Sequence, residues 1–161
     1  MIRALLFDWG NTIMVDFDLP GPMYEWEKIA WVSGAEESLK ELSSVYSCYI
    51  ATNAGQSDAD AVLKGLSRVG AEKYFSGIFA SSDLGHEKPS PDFFREISST
   101  LNIPFEELVM IGDNYIKDIE GAGKCGIKTV FLNHQPGPEN FPMADAIIHS
   151  MQELPYAIQK L

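Results

Sequence analysis

The sequence has 161 residues, 45 % hydrophobic and 22 % charged, ordinary proportions for a globular chain that exclude disorder, collagen and coiled coil. One domain with a core of its own is expected at this length. Against 12 basic residues stand 23 acidic ones, a net charge of −11, which repels nucleic acid and anionic membrane.

The first apolar run, Ile2–Phe7, reads as a strand. An irregular segment follows, Asp16–Ser33, with Pro20, Gly21 and Pro22 and then Tyr24, Trp26 and Trp31. In Ala35–Leu42, Ala35, Leu39 and Leu42 fall on one helical face. Ser47–Ala51 is the second strand, and Ser57–Val69 a helix with the stripe Ala61, Val62, Leu66 and Val69. Ser57 reads as its N-cap and Gly70 as a left-handed stop. Gly77–Ala80 is a third strand; Ser90-Pro91 then opens the helix Pro91–Leu101, with Phe94, Ile97 and Leu101 together. Leu108–Ile111 is a strand, and Ile116–Cys125 a helix ending at Gly126. Strands Lys128–Leu132 and Ala144–Ile148 flank a Pro/Gly loop, His134–Pro142, and helix Met151–Leu161 closes the chain.

Most strand runs are continuously apolar, as in strands covered on both faces. The alternation of strand and helix predicts an α/β fold, a three-layer sandwich around a mostly parallel sheet with right-handed crossovers. Ligands in such sheets bind beyond the C-terminal strand ends. The segments Asp16–Ser33 and His134–Pro142 both leave from such ends and are candidates to border a site.

The residues after each strand carry the chemistry. They are Asp8-Trp9-Gly10-Asn11-Thr12, then Thr52-Asn53, then Glu87-Lys88-Pro89, then Gly112-Asp113 with Asp118 five residues on. Parallel topology brings them to one edge. Carboxylates gathered there raise one another's pKa unless a cation compensates. Oxygen donors with room for water suit Mg²⁺. Lys88 adds a fixed positive charge, and the set would bind a phosphoryl group. A strand-end carboxylate can also act as the nucleophile of an aspartyl-phosphate.

These residues resemble the haloacid dehalogenase-like superfamily. Its first motif, Asp-x-Asp-x-Thr/Val, stands here as Asp8 to Thr12; its second, a Ser/Thr closing a strand, as Thr52; its third, a Lys, as Lys88; its fourth, Gly-Asp-x-x-x-x-Asp, as Gly112, Asp113 and Asp118. The resemblance covers residues 2–132. It implies a strand order 5-4-1-2-3 with the sixth strand beside the fifth. It implies Asp8 as nucleophile and Mg²⁺ ligand, and Thr52 and the Asn53 backbone N–H on the phosphoryl group. Lys88 would hold Asp8 and the phosphoryl oxygens. Asp113, Asp118 and the Gly10 carbonyl would surround the metal. The implied activity is a Mg²⁺-dependent phosphohydrolase acting on a phosphomonoester, small or macromolecular.

The sequence departs from that pattern at Gly10, where the family's phosphatases carry a second Asp that protonates the leaving group and then activates water. General acid–base catalysis is worth about 10²–10⁴-fold. Three readings stay open: a weak phosphatase preferring good leaving groups; replacement by Asp16, Asp18 or His86; or binding of Mg²⁺, phosphate or a protein partner without turnover. Dehalogenation of a carbon centre, which needs no metal, is a further rival.

Between Asp8 and Thr52 lie only 43 residues. The expectation is a single core, 1–161, with an irregular insert at about 15–33 in place of a cap. The resemblance is to capless members, whose open sites admit macromolecules or gain a lid from a second copy, so a homo-oligomer is among the expected partners. Tyr24, Trp26 and Trp31 are assigned either to the entrance or to covering the sheet.

Gly121 to Gly126 matches G-x-G-x-x-G but closes a helix rather than opening one, so it reads as packing and a C-cap. Cys48 and Cys125 read as reduced, buried thiols, His149 as structural, and His134 as a residue near the site. No apolar run reaches the ~20 residues of a membrane span. The N-terminal run is charged too soon for a signal peptide, so cytoplasm is the expected compartment.

Overall fold

Six strands form one parallel sheet: β1 (Ala4–Phe7), β2 (Ser47–Thr52), β3 (Gly77–Ala80), β4 (Leu108–Gly112), β5 (Lys128–Leu132) and β6 (Ala146–Ile148). Their order is β3-β2-β1-β4-β5-β6, with every neighbouring pair parallel. This is the order that the family resemblance implies. The computed structural model describes all residues except Pro136 and Glu139.

Alternation along β1 divides the core. Leu5 and Phe7 face one layer with α1 (Ala35–Leu42), α2 (Ala59–Ser67) and the last helix. Ala4 and Leu6 face the other, with Phe93, Phe94 and Ile97 of the Pro91–Leu101 helix and Ala122 of the helix after β4. Both faces of β1 and β4 are fully covered, which is why their runs are apolar without a break.

The helices differ from the expected bounds where side chains compete for backbone groups. Helix α2 is capped by Asp58 rather than Ser57: the Asp58 carboxylate accepts from Ala61 N–H at 2.8 Å, while the Ser57 carbonyl receives the Ser82 hydroxyl. A short helix α3 (Ser81–Leu84), unforeseen from periodicity, follows β3. Helix α4 (Pro91–Leu101) keeps its expected bounds, with the Ser90 hydroxyl accepting from Asp92 N–H. After β4 the chain winds as a π-helix, Tyr115–Glu120, before the α-helix α5 (Gly121–Cys125). The expected single α-helix from Ile116 is therefore two windings, and Ile116 is exposed. Gly126 closes α5 at φ 89°, as the C-cap reading expects. The closing segment splits into a 3-10 turn (Met151–Glu153) and α6 (Leu154–Gln159), with Pro155 in the first turn of α6.

Cys48 is buried and free; Cys125 is free but only half-buried, because it sits at the last position of α5 beside the exposed Gly126. Four strands shift at their ends, β1 beginning at Ala4 rather than Ile2, β6 at Ala146 rather than Ala144, β2 extending through Thr52 and β4 through Gly112.

Residues 14–32, irregular by composition, have a structured base. Met14 bridges Trp31 in antiparallel fashion, Val15 N–H donates to Ala30 O, and Val32 N–H donates to Ile13 O. The loop between carries one 3-10 turn, Met23–Glu25. Arg68, just past α2, fastens that turn: its guanidinium donates to the carbonyls of Tyr24 (3.1 Å) and Trp26. Trp26 is buried with its indole N–H on the Pro20 and Gly21 carbonyls, and Trp31 packs on the core with its ring edge-on to Tyr74.

Candidate active site

Register sets the site. Phe7 pairs with Ile50 on one side and Ile111 on the other, so the residues just beyond emerge side by side. Asp8 N–H continues the ladder to Ile111 O at 2.9 Å, which fixes the carboxylate at the sheet edge. Asp8, Gly10, Thr52, Asn53, Lys88, Asp113 and Asp118 all line one cleft of about 290 Å³. These are the residues to which the family resemblance gives catalytic, phosphoryl-binding or metal roles, and the fold gathers them in one cleft.

Lys88 is the centre of the charge arrangement. Its ammonium donates to Asp8 Oδ1 at 2.9 Å and to Asp118 Oδ1 at 2.7 Å. Lys88 is 2 % exposed and Asp118 1 %, so water cannot screen either charge. Burial opposes the lysine charge, but the two carboxylates together outweigh it and hold its pKa above the usual lysine value.

The acids respond in the opposite sense to an ordinary ion pair. Asp113 is pushed up to about 7 by burial, by the charge of Asp8 and by a hydrogen bond to it; its own backbone and Thr12 offset part of this. Asp118 is likewise pushed up to about 7 by burial and by Asp8, against the pull of Lys88. One lysine does not neutralise three carboxylates. Ligand oxygens of Asp8, Asp113 and Asp118 lie within 4.8 Å of one another. A hard divalent cation among them would remove the excess negative charge, and an all-oxygen donor set of this kind suits Mg²⁺.

Supporting contacts hold each group. The Thr12 hydroxyl lies 3.4 Å from Asp8 Oδ2 and 3.4 Å from Asp113 Oδ1, bridging the two carboxylates. Asp118 Oδ2 accepts from Asn114 N–H at 3.0 Å, and the Asn114 side chain accepts from Lys117 N–H at 3.0 Å. Gly112 must lack a side chain: a Cβ there would stand 2.2 Å from Asp118 Oδ2. The Asn53 amide clamps the backbone of Lys88 twice, donating to Lys88 O at 2.7 Å and accepting from Lys88 N–H at 2.8 Å. Its side chain therefore positions Lys88, a role not foreseen from sequence, where only its backbone N–H was assigned.

The residues offered as substitutes for the missing acid separate. Asp16 lines the cleft with Asp8. Asp18 lines only the adjoining cavity, about 300 Å³, with Trp9, Leu19, Met23 and Trp26. His86 is exposed and lines a separate hollow with Ser82 and Gly85. His134 is exposed and donates from Nε2 to the Asn11 carbonyl at 2.8 Å. Among the described residues, none of the His134–Pro142 loop lines the cleft; Pro136 and Glu139 of that loop lie outside the described residues. Of the three aromatics, Trp26 walls the adjoining cavity, Tyr24 an outer hollow, and Trp31 covers the core.

Trp9, Met23 and Lys117 also line the cleft and were not singled out from the sequence. For Trp9 a signal existed. Gly65 interrupts α2, and a Cβ there would stand 3.0 Å from the Trp9 ring, so the glycine marks a close approach.

Comparison with known proteins agrees with this geometry. The family described as haloacid dehalogenase-like hydrolase matches residues 22–132, which hold Thr52, Lys88, Asp113 and Asp118 but not Asp8 or Gly10. The chain is similar to a glyceraldehyde 3-phosphate phosphatase of Methanopyrus kandleri, 40 % identical over 65 residues, covering 40 % of this chain and 28 % of the relative. It resembles a solved structure of an uncharacterized Listeria monocytogenes protein, TM-score 0.85 at 23 % identity, covering 99 % and 98 % of the two chains. It also resembles the HAD-hydrolase YfnB of Bacillus subtilis solved with magnesium bound, TM-score 0.79 at 21 % identity, covering 99 % of each chain. The chain spans 28 % and 38 % of the lengths of the first two curated relatives that it matches.

Proposed function

This chain belongs to the haloacid dehalogenase-like hydrolase family, and we propose that it hydrolyses a phosphomonoester through an aspartyl-phosphate on Asp8. The observation that carries the reading is the buried Lys88 ammonium, held between Asp8 and Asp118 in a cleft that also holds Asp113 and Thr52. The Asp8 carboxylate attacks phosphorus, while Thr52, the Asn53 backbone N–H and Lys88 orient the phosphoryl oxygens. Asp8, Asp113, Asp118 and the Gly10 carbonyl would hold Mg²⁺, which would supply positive charge to neutralise the phosphoryl oxygens. The magnesium bound in the Bacillus subtilis relative supports this choice. The chain works as a single core, residues 15–33 standing where larger relatives place a cap. Apolar walls at Trp9, Leu19, Met23 and Trp26 suit a small alcohol as leaving group. The phosphatases among its relatives agree with a phosphorylated small molecule as substrate.

Release of phosphate from 4-nitrophenyl phosphate and acetyl phosphate tests the reading. Turnover is expected with Mg²⁺ and is expected to fall to background in a chelator. Turnover that persists without metal points to another chemistry. A second reading, binding without turnover, is favoured by Gly10; it predicts Mg²⁺ binding with no phosphate release from either compound.

The carboxylates also tie stability to pH. Folding pushes the Asp113 and Asp118 carboxyls up to about 7, from the ordinary aspartate value of 3.8 that they have when unfolded. The folded state then binds more protons between these values, so stability from these groups is present at low pH and is lost as pH rises through about 7. Mg²⁺ reverses the loss by balancing the carboxylates. The melting-temperature gap between Mg²⁺-loaded and metal-free protein is therefore expected to widen from pH 5.5 to pH 8. A gap independent of pH contradicts the metal assignment.

A further inference from the structure

We propose that the Asp16 carboxyl replaces the acid that position 10 lacks, protonating the leaving oxygen and then drawing a proton from water. The inference rests on the aspartyl-phosphate reading above and adds to it the proton donor that Gly10 cannot supply.

Four observations converge on Asp16. A Cβ built on Gly10 would stand 3.6 Å from both Cβ and Oδ2 of Asp16. The Asp16 side chain therefore lies beside the space that a side chain from position 10 would enter. Asp16 lines the Asp8 cleft and also the adjoining apolar cavity, so it stands where the phosphoryl group and its alcohol would meet. Its two oxygens are differently engaged. Oδ1 accepts from Asp18 N–H at 2.9 Å, while Oδ2, the atom facing Gly10, has no hydrogen-bond partner among the described residues. Its backbone is held as well: Asp16 N–H donates to Asn11 Oδ1 at 3.0 Å, and Val15 N–H next to it donates to Ala30 O at 2.8 Å. Asp18 and His86, the other acids considered, meet none of the first two conditions.

The chemistry balances without a further reactant. An Asp8 oxygen forms a bond to phosphorus as the bond from phosphorus to the alcohol oxygen breaks. That oxygen takes the proton of the Asp16 carboxyl and leaves as the alcohol. The Asp16 carboxylate then takes a proton from water as the water oxygen attacks phosphorus. The bond to Asp8 breaks, inorganic phosphate departs, and Asp16 is again protonated. The cost of losing such a group depends on the leaving group. Nitrophenolate departs without a proton, whereas an alkoxide does not.

The test compares Asp16→Asn with the unsubstituted protein on 4-nitrophenyl phosphate, phenyl phosphate and ethyl phosphate, with Mg²⁺ present. Asparagine keeps the acceptor for Asp18 N–H. Turnover of ethyl phosphate is expected to fall about 10²–10⁴-fold. With 4-nitrophenyl phosphate a burst of nitrophenolate is expected, followed by slow turnover, and acid quenching should trap phosphate on the protein. Adding Gly10→Asp to Asp16→Asn is expected to restore ethyl phosphate turnover, which a merely structural role for Asp16 would not produce. No loss with ethyl phosphate, or a burst of nitrophenolate slowed as much as ethyl phosphate turnover, overturns the assignment of Asp16 while leaving the aspartyl-phosphate reading intact. Turnover that survives in Asp8→Asn, or absence of turnover in the unsubstituted protein, overturns both.

Discussion

Replacing Asp8 by Asn is expected to cut phosphate release by about 10⁴–10⁶-fold, the scale on which enzymes lose activity when a nucleophile that acts with its partners is removed. The fold should survive. Asp8 is one of the charges that raise Asp113 and Asp118, so removing it relieves repulsion inside the cleft. Lys88 keeps its shorter contact, 2.7 Å to Asp118. The metal-free variant at pH 8 should therefore melt at or above the temperature of the unsubstituted protein. Its Mg²⁺ affinity should fall, since one of three gathered carboxylates is lost. Activity and melting curves measured together check this. Retained turnover contradicts the nucleophile assignment, and inactivity accompanied by a large drop in melting temperature would assign Asp8 a structural part.

The second large effect is on stability. Lys88→Met leaves the carboxylates of Asp8 and Asp118 with no ammonium between them, in a place where Asp118 is 1 % exposed. Breaking a buried pair by removing one partner costs about 3–5 kcal/mol. At about 2–4 °C per kcal/mol for a chain of this size, the melting temperature should fall by roughly 6–20 °C. The sign of its pH dependence follows from the charges. Lys88 holds the Asp118 pKa down, so without the lysine Asp118 takes up a proton more readily. The deficit should be larger at pH 8 than at pH 5.5. Adding Asp118→Asn should recover part of it. Differential scanning calorimetry at the two pH values decides. A shift below about 2 °C at both would mean that Lys88 does not balance the cleft's charge.

The fold was largely legible because its signals are local. The apolar runs of β1, β4 and β5 are continuous, and Ser90-Pro91 and Gly126 mark helix ends where one residue's backbone preference decides. Ser57 and Asp58 show the limit of such signals: both are good caps, and only the contact with Ala61 N–H chooses between them. The π-helical winding of Tyr115–Glu120 has no mark in the apolar spacing, and the Lys88 that pairs with its Asp118 stands 30 residues away in the chain.

The candidate site was legible to the extent that strand ends carry it. Asp8, Thr52, Lys88, Asp113 and Asp118 follow apolar runs, and parallel topology does the rest. The Asn53 clamp and the place of Asp16 were not. Asn53 reaches Lys88 across 35 residues, and Asp16 is set beside Gly10 by its N–H on Asn11 Oδ1 and by the bridge of Met14 to Trp31. Composition marked that segment as irregular, and so hid the hydrogen bonds that order its base.

The Arg68 guanidinium has a consequence beyond local order. It and the Met14–Trp31 bridge secure a loop that walls the apolar cavity, while the phosphoryl cleft hangs from the sheet edge. The two parts share few positions, Trp9, Asp16, Met23, Asn53 and Ala54. Leu19, Gly21, Pro22 and Trp26 belong to the wall alone. On the proposed function, drift at those four positions would reshape the choice of alcohol while the edge stays as it is. Leu19, Gly21, Pro22 and Trp26 can thus vary with the sheet-edge residues unchanged, whereas Asp16, on the same loop, ties the two parts together.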